Sequence, residues 1–260
     1  FKARAELEEA DCIVANHDLV MADLALGGGA ILPPPEDCIY VFDEGHRLGE
    51  TAVKHFGAQC RINTTLNWLE RVPKQLKGQT PVFEKDKTIT DMLPRIDSGA
   101  NEIVGLLTTC YPQFQAYLDN LEDDRQLYRF PQGDVGEGTR ELAQNISALT
   151  SRWIGRVELL RDTLNEALTD RDYAVPIPDI ELFYQQVGSW LTKGENLLAL
   201  WDRLKQQLTS HAVPLACWLR LDDSSSGNLD IAINASPIQA TEILREQLWG
   251  SCYGAVITSA

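Results

Sequence analysis

The chain has 260 residues and a formal charge of −15, from 23 Lys and Arg against 38 Asp and Glu. That length holds one large domain or two smaller ones, and 44% apolar against 23% charged residues is an ordinary globular balance. No apolar run nears the ~20 residues that span a bilayer, so no membrane partner is expected; taken whole, so acidic a chain also argues against nucleic acid, whose affinity rests on cations meeting phosphates.

Residues 1–10, FKARAELEEA, already have helical composition. Asp11–Ala15 is a short apolar run that predicts a strand. Gly27-Gly28-Gly29 and then Pro33-Pro34-Pro35 form a flexible stretch followed by a stiff one. The triple glycine lacks the following Lys-Ser/Thr of a phosphate loop and does not open a helix directly. Cys38–Phe42 predicts a second strand, covered on both faces and ended by Asp43-Glu44. A helix is expected over 63–72, capped by Asn63 or Thr64.

From about 63 to 211 helical periodicity dominates. One apolar stripe runs Ile89, Met92, Ile96, Ile103, Leu106, Cys110, Phe114, Tyr117, Leu121, where Pro94 and Pro112 are expected to bend or split the helix. A second runs Leu142, Ile146, Leu149, Trp153, Val157, Leu160, Leu164, Leu168, and a third Ile180, Phe183, Val187, Trp190, Leu191, Leu197, Trp201, Leu204, Leu208. Stripes of this length joined by polar loops predict an antiparallel bundle. Beyond Pro214, Ala216–Leu221 and Leu229–Ala235 flank a polar loop and predict a hairpin; Pro237 then opens a helix through Trp249, and Ala255–Thr258 is a last strand. The predicted fold is therefore α/β, a partial sheet built from both ends of the chain and interrupted by a large all-α bundle. The expected segments are 1–52, 53–212 and 213–260.

Six cysteines, at 12, 38, 60, 110, 217 and 252, form no CxxC pair and predict buried thiols in a reducing, cytoplasmic setting. There is no initiator Met, and Gly254–Ala260 runs as a strand without a turn signal. The expectation is a piece of a longer protein.

Chemistry concentrates at Asp43-Glu44-Gly45-His46, at the carboxyl end of the 38–42 strand, where open α/β sheets bind ligands. Two adjacent carboxylates there suit phosphoryl transfer with magnesium: one holds the metal, the other orients and deprotonates the attacking water. On the tetrapeptide alone a helix N-cap fits equally well.

The context separates the two. A DExH box after an apolar strand, with Thr258-Ser259-Ala260 after a later one, resembles the Walker B motif and motif III of superfamily 2 helicases. The roughly 210 intervening, largely helical residues resemble the XPD/DinG group, in which an arch domain lies between those motifs. Ala10–Asp23 (ADCIVANHDLVMAD), DEGH with Gly45 for the usual Ala, and Leu248-Trp249 resemble its bacterial DinG branch, with the paralogous YoaA branch as the alternative. These motifs cover about 40 residues at the two ends.

The resemblance implies a RecA-like motor sheet carrying an arch-like insertion, and an ATP-dependent DNA helicase moving 5′ to 3′ on single-stranded DNA in repair. It implies that Asp43 coordinates Mg²⁺ of Mg-ATP, that Glu44 is the general base, that His46 couples nucleotide state to the DNA site, and that Thr258, Ser259 and Ala260 link hydrolysis to unwinding. It implies a 4Fe-4S cluster in the parent whose four cysteine ligands precede this chain; none of the six here takes such a position. Asn16 and His17 match a family segment without an assigned role, and His17 is expected to be buried and bonded to the sheet backbone. No GxxxxGK[ST] occurs in the 260 residues, so the chain is expected to be inactive alone; separately, a monomer is expected. The competing reading is a non-catalytic helical interaction module on a vestigial α/β base.

Charge divided by segment reopens the question of DNA. Residues 53–212 hold 18 of the 23 basic groups against 22 acidic ones. Arg152, Arg156, Arg161, Lys193, Arg203 and Lys205 lie along the predicted helices, either as a solvated face with local ion pairs or as a basic lane for a single strand. Weak DNA binding by this chain is expected.

Overall fold

The computed structural model describes residues 7, 10–119, 121, 127–170, 173–206, 214–223 and 229–259. In chain order the elements are α1 (His17–Ala25), β1 (Ile39–Phe42), α2 (Leu48–His55), β2 (Ala58–Arg61), α3 (Ile62–Leu69), α4 (Arg71–Gln79), α5 (Lys87–Asp119), β3 (Leu127–Arg129), α6 (Glu137–Thr169), α7 (Ile177–Leu204), β4 (Leu215–Asp223), β5 (Leu229–Pro237), α8 (Ala240–Leu244) and β6 (Gly254–Ile257). The chain divides into two compact units: Phe1–Gly57 with Thr209–Ala216 and Ser236–Ala260, and Ala58–Leu208 with Cys217–Ala235. The hairpin core, Cys217–Ala235, therefore goes with the helices rather than with the expected last segment 213–260.

The first unit is built on a parallel pair, with Ile39, Tyr40, Val41 and Phe42 opposite Gly254, Ala255, Val256 and Ile257. Alternation turns Tyr40 and Phe42 inward onto Val20, Met21 and Leu24 of α1, Leu48 and Ala52 of α2, and Leu244 and Leu248. Ile39 and Val41 point outward, 65% and 69% exposed. Asp11–Ala15 forms no strand: it leads into α1, with Ile13 and Ala15 against the core and Val14 in solvent. An apolar run becomes a strand only where a ladder partner meets it, and among the described residues none does. The expected helix from Pro237 starts later, because Pro237 ends β5. α8 then passes into a π-helical turn over Arg245–Trp249, closed by Gly250 N–H donating to Arg245 O at 2.9 Å.

Asp23 holds the Gly-rich loop together. Its buried carboxylate accepts from the N–H groups of Gly29 (3.0 Å), Ile31 (2.5 Å) and Leu32 (3.2 Å). Gly27, Gly28 and Gly29 all have positive φ, and a Cβ on Gly28 would lie 2.8 Å from Pro35. The loop is a structural turn wrapped on a carboxylate, consistent with its lack of a phosphate-loop lysine.

The second unit is a bundle of α5, α6 and α7 with a four-stranded sheet of order β2-β5-β4-β3. β5 is antiparallel to β2, and β3 is antiparallel to β4. The hairpin thus does not extend the β1–β6 sheet. The strands it joins, four and three residues long, carry too little pattern to read from sequence. α5 runs unbroken through Pro94 and Pro112, held by a continuous buried face from Ile89 to Leu118 that outweighs the missing main-chain bonds. Leu208, the last member of the third stripe, lies outside the described residues.

Trp153 centres the bundle. It is 1% exposed and its indole N–H donates to Ile96 O at 3.1 Å. It fits because both neighbouring helices present glycine: a Cβ on Gly99 of α5 would meet the indole at 2.9 Å, and one on Gly194 of α7 at 3.0 Å. The α3 cap comes from across the sheet. Neither Asn63 nor Thr64 caps it with its own side chain. The buried Asp230 carboxylate of β5 accepts from Asn63 N–H (2.8 Å), Thr64 N–H (2.9 Å) and the Thr64 hydroxyl (2.8 Å).

Trp153→Ala is expected to lower the unfolding free energy by about 3–5 kcal/mol, as core aromatic truncations do. Gly105→Ala, on α5 with open space around its would-be Cβ, should raise it by about 0.8 kcal/mol. Urea unfolding monitored by circular dichroism measures both; a Trp153→Ala loss under 1 kcal/mol contradicts the central role of this side chain.

Candidate functional site

Parallel pairing places the carboxyl ends of β1 and β6 at one edge. The chain leaving β1 is Asp43–His46; the chain leaving β6 is Thr258-Ser259. They lie 215 positions apart in sequence and are bonded to each other. Thr258 N–H donates to Phe42 O at 2.8 Å, and Gly45 N–H donates to Thr258 O at 2.8 Å. The Thr258 hydroxyl donates to Asp43 Oδ1 at 3.0 Å, an oxygen that also accepts Glu44 N–H at 3.0 Å. His46 Nδ1 lies 3.1 Å from Ser259 Oγ and 3.1 Å from Glu44 Oε2. Protonated at Nδ1, the ring donates to Glu44 and has Ser259 as a second acceptor. Ala260, the third residue of the expected motif, lies outside the described residues.

Neither carboxylate acts as a helix cap. The short 3₁₀ turn Gly45–Arg47 and α2 both begin without a side-chain cap bond. Glu44 instead occupies the left-handed region, φ 52° and ψ 43°, uncommon for a residue with a side chain. Such strain costs on the order of 1–3 kcal/mol and gathers at functional sites. Glu44 and His46 remain about half exposed, at 50% and 55% of their side-chain surface. Both are open to a ligand arriving at the sheet edge.

Gly45 is required by packing. A Cβ there would stand 2.1 Å from Ile257 Cγ2 and 3.2 Å from Thr258 O. The third position of the box is thus read out by the strand it touches: only without a side chain can the turn close onto β6.

Asn16 and His17 also find roles. Asn16 is the N-cap of α1, its side chain accepting from Leu19 N–H at 2.8 Å. His17 is half-buried rather than buried, and its ring stands edge-on to Phe42 at 5.7 Å. Trp249 meets Phe42 from another side at 5.9 Å. The family-like segment before the box and the Leu248-Trp249 pair after it therefore both brace the residue that precedes Asp43.

In the helical unit, the six expected cations are all engaged. Arg152 and Arg156 donate to Ala148 O and Arg95 O, and Arg203 to Ala199 O. Arg161 pairs with Asp162, Lys205 with Asp202 and Ser147, and Lys193 lies over the Trp68 ring at 5.7 Å. A cleft of about 560 Å³ between α6 and α7 contains that Lys205–Asp202–Ser147 group. These contacts match a helix face with local partners. Of the cysteines, Cys60, Cys110 and Cys217 are buried as expected, and burial pushes their thiols up to about 12, 12 and 11. Cys12 is exposed, against expectation. Among the described residues, no three His, Cys, Asp or Glu side chains gather as metal ligands, and no helix is long and apolar enough to cross a membrane.

No family model matches the chain. Curated relatives do. The ATP-dependent DNA helicase DinG of Photobacterium profundum is 28% identical over 270 residues, spanning all of this chain and 36% of that protein. DinG of Escherichia coli K12 is 28% identical over 266 residues and DinG of Salmonella typhimurium 27% over 265, each spanning all of this chain and 35% of the relative. The chain resembles DinG from end to end. The likeness to DinG extends through the helical middle, where the sequence motifs were silent. The chain spans about a third of the length of these DinG relatives.

Gly45→Ala is expected to destabilise the first unit by about 1–3 kcal/mol, the usual cost of overpacking. Combined with Ile257→Ala, which removes the opposing methyl, part of that loss should return, giving a coupling of about 1 kcal/mol or more in a thermal-unfolding double-mutant cycle. Simple additivity would show that the box does not close on β6.

Proposed function

We propose that the chain is the part of a DinG-type ATP-dependent DNA helicase that carries the hydrolytic box and an arch-like helical insertion. The observation that carries this reading is the bonding of Asp43 to Thr258 and of His46 to Ser259 across 215 and 213 positions. A cap or a vestigial turn has no need of that convergence; a site that couples hydrolysis to motion does.

In this reading Asp43 holds Mg²⁺ of Mg-ATP. The donor set suits it: a carboxylate is a hard oxygen ligand, and both bonds described above fall on Oδ1, leaving Oδ2 for the ion or its water. The metal would supply charge neutralisation on the phosphate oxygens. Glu44, strained and half exposed, takes the proton of the attacking water. His46, shared between Glu44 and Ser259, passes the nucleotide state to the strand end. Thr258 and Ser259 respond to it, with Ala260 completing that stretch.

The first unit is read as part of a RecA-like sheet. Its outward residues Ile39, Val41 and Val256 are all more than half exposed, whereas parallel sheets are ordinarily covered on both faces. Further strands and helices of the longer protein would cover them. The phosphate cradle, the second motor domain and a 4Fe-4S cluster belong in this reading to that longer protein, a monomeric bacterial cytoplasmic enzyme moving 5′ to 3′ on single-stranded DNA in repair. The 260 residues alone, lacking the phosphate cradle, neither hydrolyse ATP nor unwind DNA.

In the longer protein, Glu44→Gln is expected to lower DNA-stimulated ATP turnover by roughly 10²–10⁴-fold while leaving nucleotide binding within a few-fold. A phosphate-release assay beside a fluorescent-nucleotide titration reads both. Wild-type turnover in that variant would sink the assignment of Glu44.

A further inference from the structure

The four-stranded sheet carries a second cluster of cations that the helix stripes do not predict. Arg61 on β2 reaches Asp222 on β4, its guanidinium 2.9 Å from Oδ2. Because β5 lies between those strands, the arginine must cross it on one face of the sheet, above Ala232, its partner in the ladder. Ala232 is small and fully buried, as that crossing requires. Arg220 grips the same carboxylate through Nε and through NH2, the latter at 3.0 Å. Alternation along β4 puts Trp218, Arg220 and Asp222 on this face, while Cys217 and Leu219 point into the core. Arg129 is the ladder partner of Trp218, so it stands beside the indole on the same face.

The face therefore presents Arg61, Arg220, Arg129 and Trp218 against Asp222, with the buried Asp230 farther along β5 on the same face and engaged in capping α3. The three arginines are exposed, Trp218 is half-buried, and Asp222 is nearly covered by its two partners. The cluster spans about 14 Å from β2 to β3, three inter-strand gaps of ~4.8 Å. In a chain of charge −15 this face sets three arginines against two carboxylates, each carboxylate already engaged, a local surplus of one positive charge on a sheet platform. Asp222 pre-orders two guanidiniums whose planar forks match phosphate oxygens. Beside them an indole offers a stacking surface.

We propose that this sheet face binds single-stranded nucleic acid, the arginines taking consecutive phosphates and Trp218 stacking on a base. A duplex fits poorly, since its base faces are hidden. An acidic peptide would meet the arginines but leave the indole without a planar partner. The choice of a nucleic acid over other polyanions rests on the helicase reading; the face itself does not depend on the hydrolytic site.

The test is fluorescence anisotropy of a labelled 20-nucleotide oligo-dT against the 260-residue chain. The expected binding is weak and salt-dependent, with a logarithmic slope of about −2 for three phosphate contacts, or roughly a twentyfold loss between 50 and 200 mM salt. Arg129→Ala and Arg220→Ala should each weaken it several-fold and flatten the slope. Trp218→Leu should weaken it about tenfold, whereas Trp218→Phe, which keeps a stacking ring, should stay within about threefold. Arg152→Ala, on α6, should change nothing. Circular-dichroism melting checks that each variant folds, and if Trp218→Leu does not, the Phe and Arg variants still decide. Undetectable binding by the wild-type chain, affinities unchanged in the Arg129 and Arg220 variants, or equal binding of polyglutamate or duplex at the same residues would overturn the proposal. Any of these results would leave the Glu44→Gln experiment standing on its own.

Discussion

Everything about the candidate site depends on one parallel pairing, four residues long, between β1 and β6. Parallel strands need a crossover, and this one encloses nearly the whole chain. Closing so long a loop is entropically costly, though the cost grows only logarithmically with length. The return is positional. Two main-chain bonds, Thr258 to Phe42 and Gly45 to Thr258, set the registry of two turns to within hydrogen-bond tolerance. Gly45 makes that approach sterically possible, and Phe42, braced by His17 and Trp249, anchors it from beneath. Asp43 and Glu44 are held at the sheet edge by this arrangement rather than by the short turn that contains them.

The helical unit solves a different problem by the same means: a large group seated where neighbours have none. Trp153 occupies the space that Gly99 and Gly194 leave, and its N–H satisfies Ile96 O. Asp230 ties the sheet to the bundle by capping α3 from a strand about 167 positions away. Because Asp230 sits on the hairpin core, Cys217–Ala235, which follow the bundle in sequence, belong to its fold. The insertion is thus a unit with its own sheet, and that sheet carries the Arg61–Asp222–Arg220 network.

Much of this was legible in the sequence. The three stripes mark α5, α6 and α7, and the apolar runs at 38–42 and 255–258 mark β1 and β6, because periodicity reports burial directly. The box was legible as chemistry, through two carboxylates ending a strand. Other features were not. β2 and β3 are too short to show alternation, and their arginines became notable only once the sheet aligned them with Trp218. Asp11–Ala15 has the composition of a strand without a partner. Gly45 looked like a substitution for alanine; its reason is Ile257, more than 200 residues away. Asp23 and Asp230 are single carboxylates whose partners are main-chain N–H groups, and no sequence pattern advertises such bonds. What the sequence withheld was tertiary reach in every case.

The central claim is that the turn after β1 and the turn after β6 act as one device. Its most direct test is Thr258→Val in the longer protein, which removes the hydroxyl bonded to Asp43 with little change in shape. The account predicts that ATP turnover on single-stranded DNA survives within several-fold, while strand separation per ATP falls by tenfold or more. Unchanged unwinding and unchanged turnover together would contradict it, because the contact between the two strand ends would then carry no functional signal.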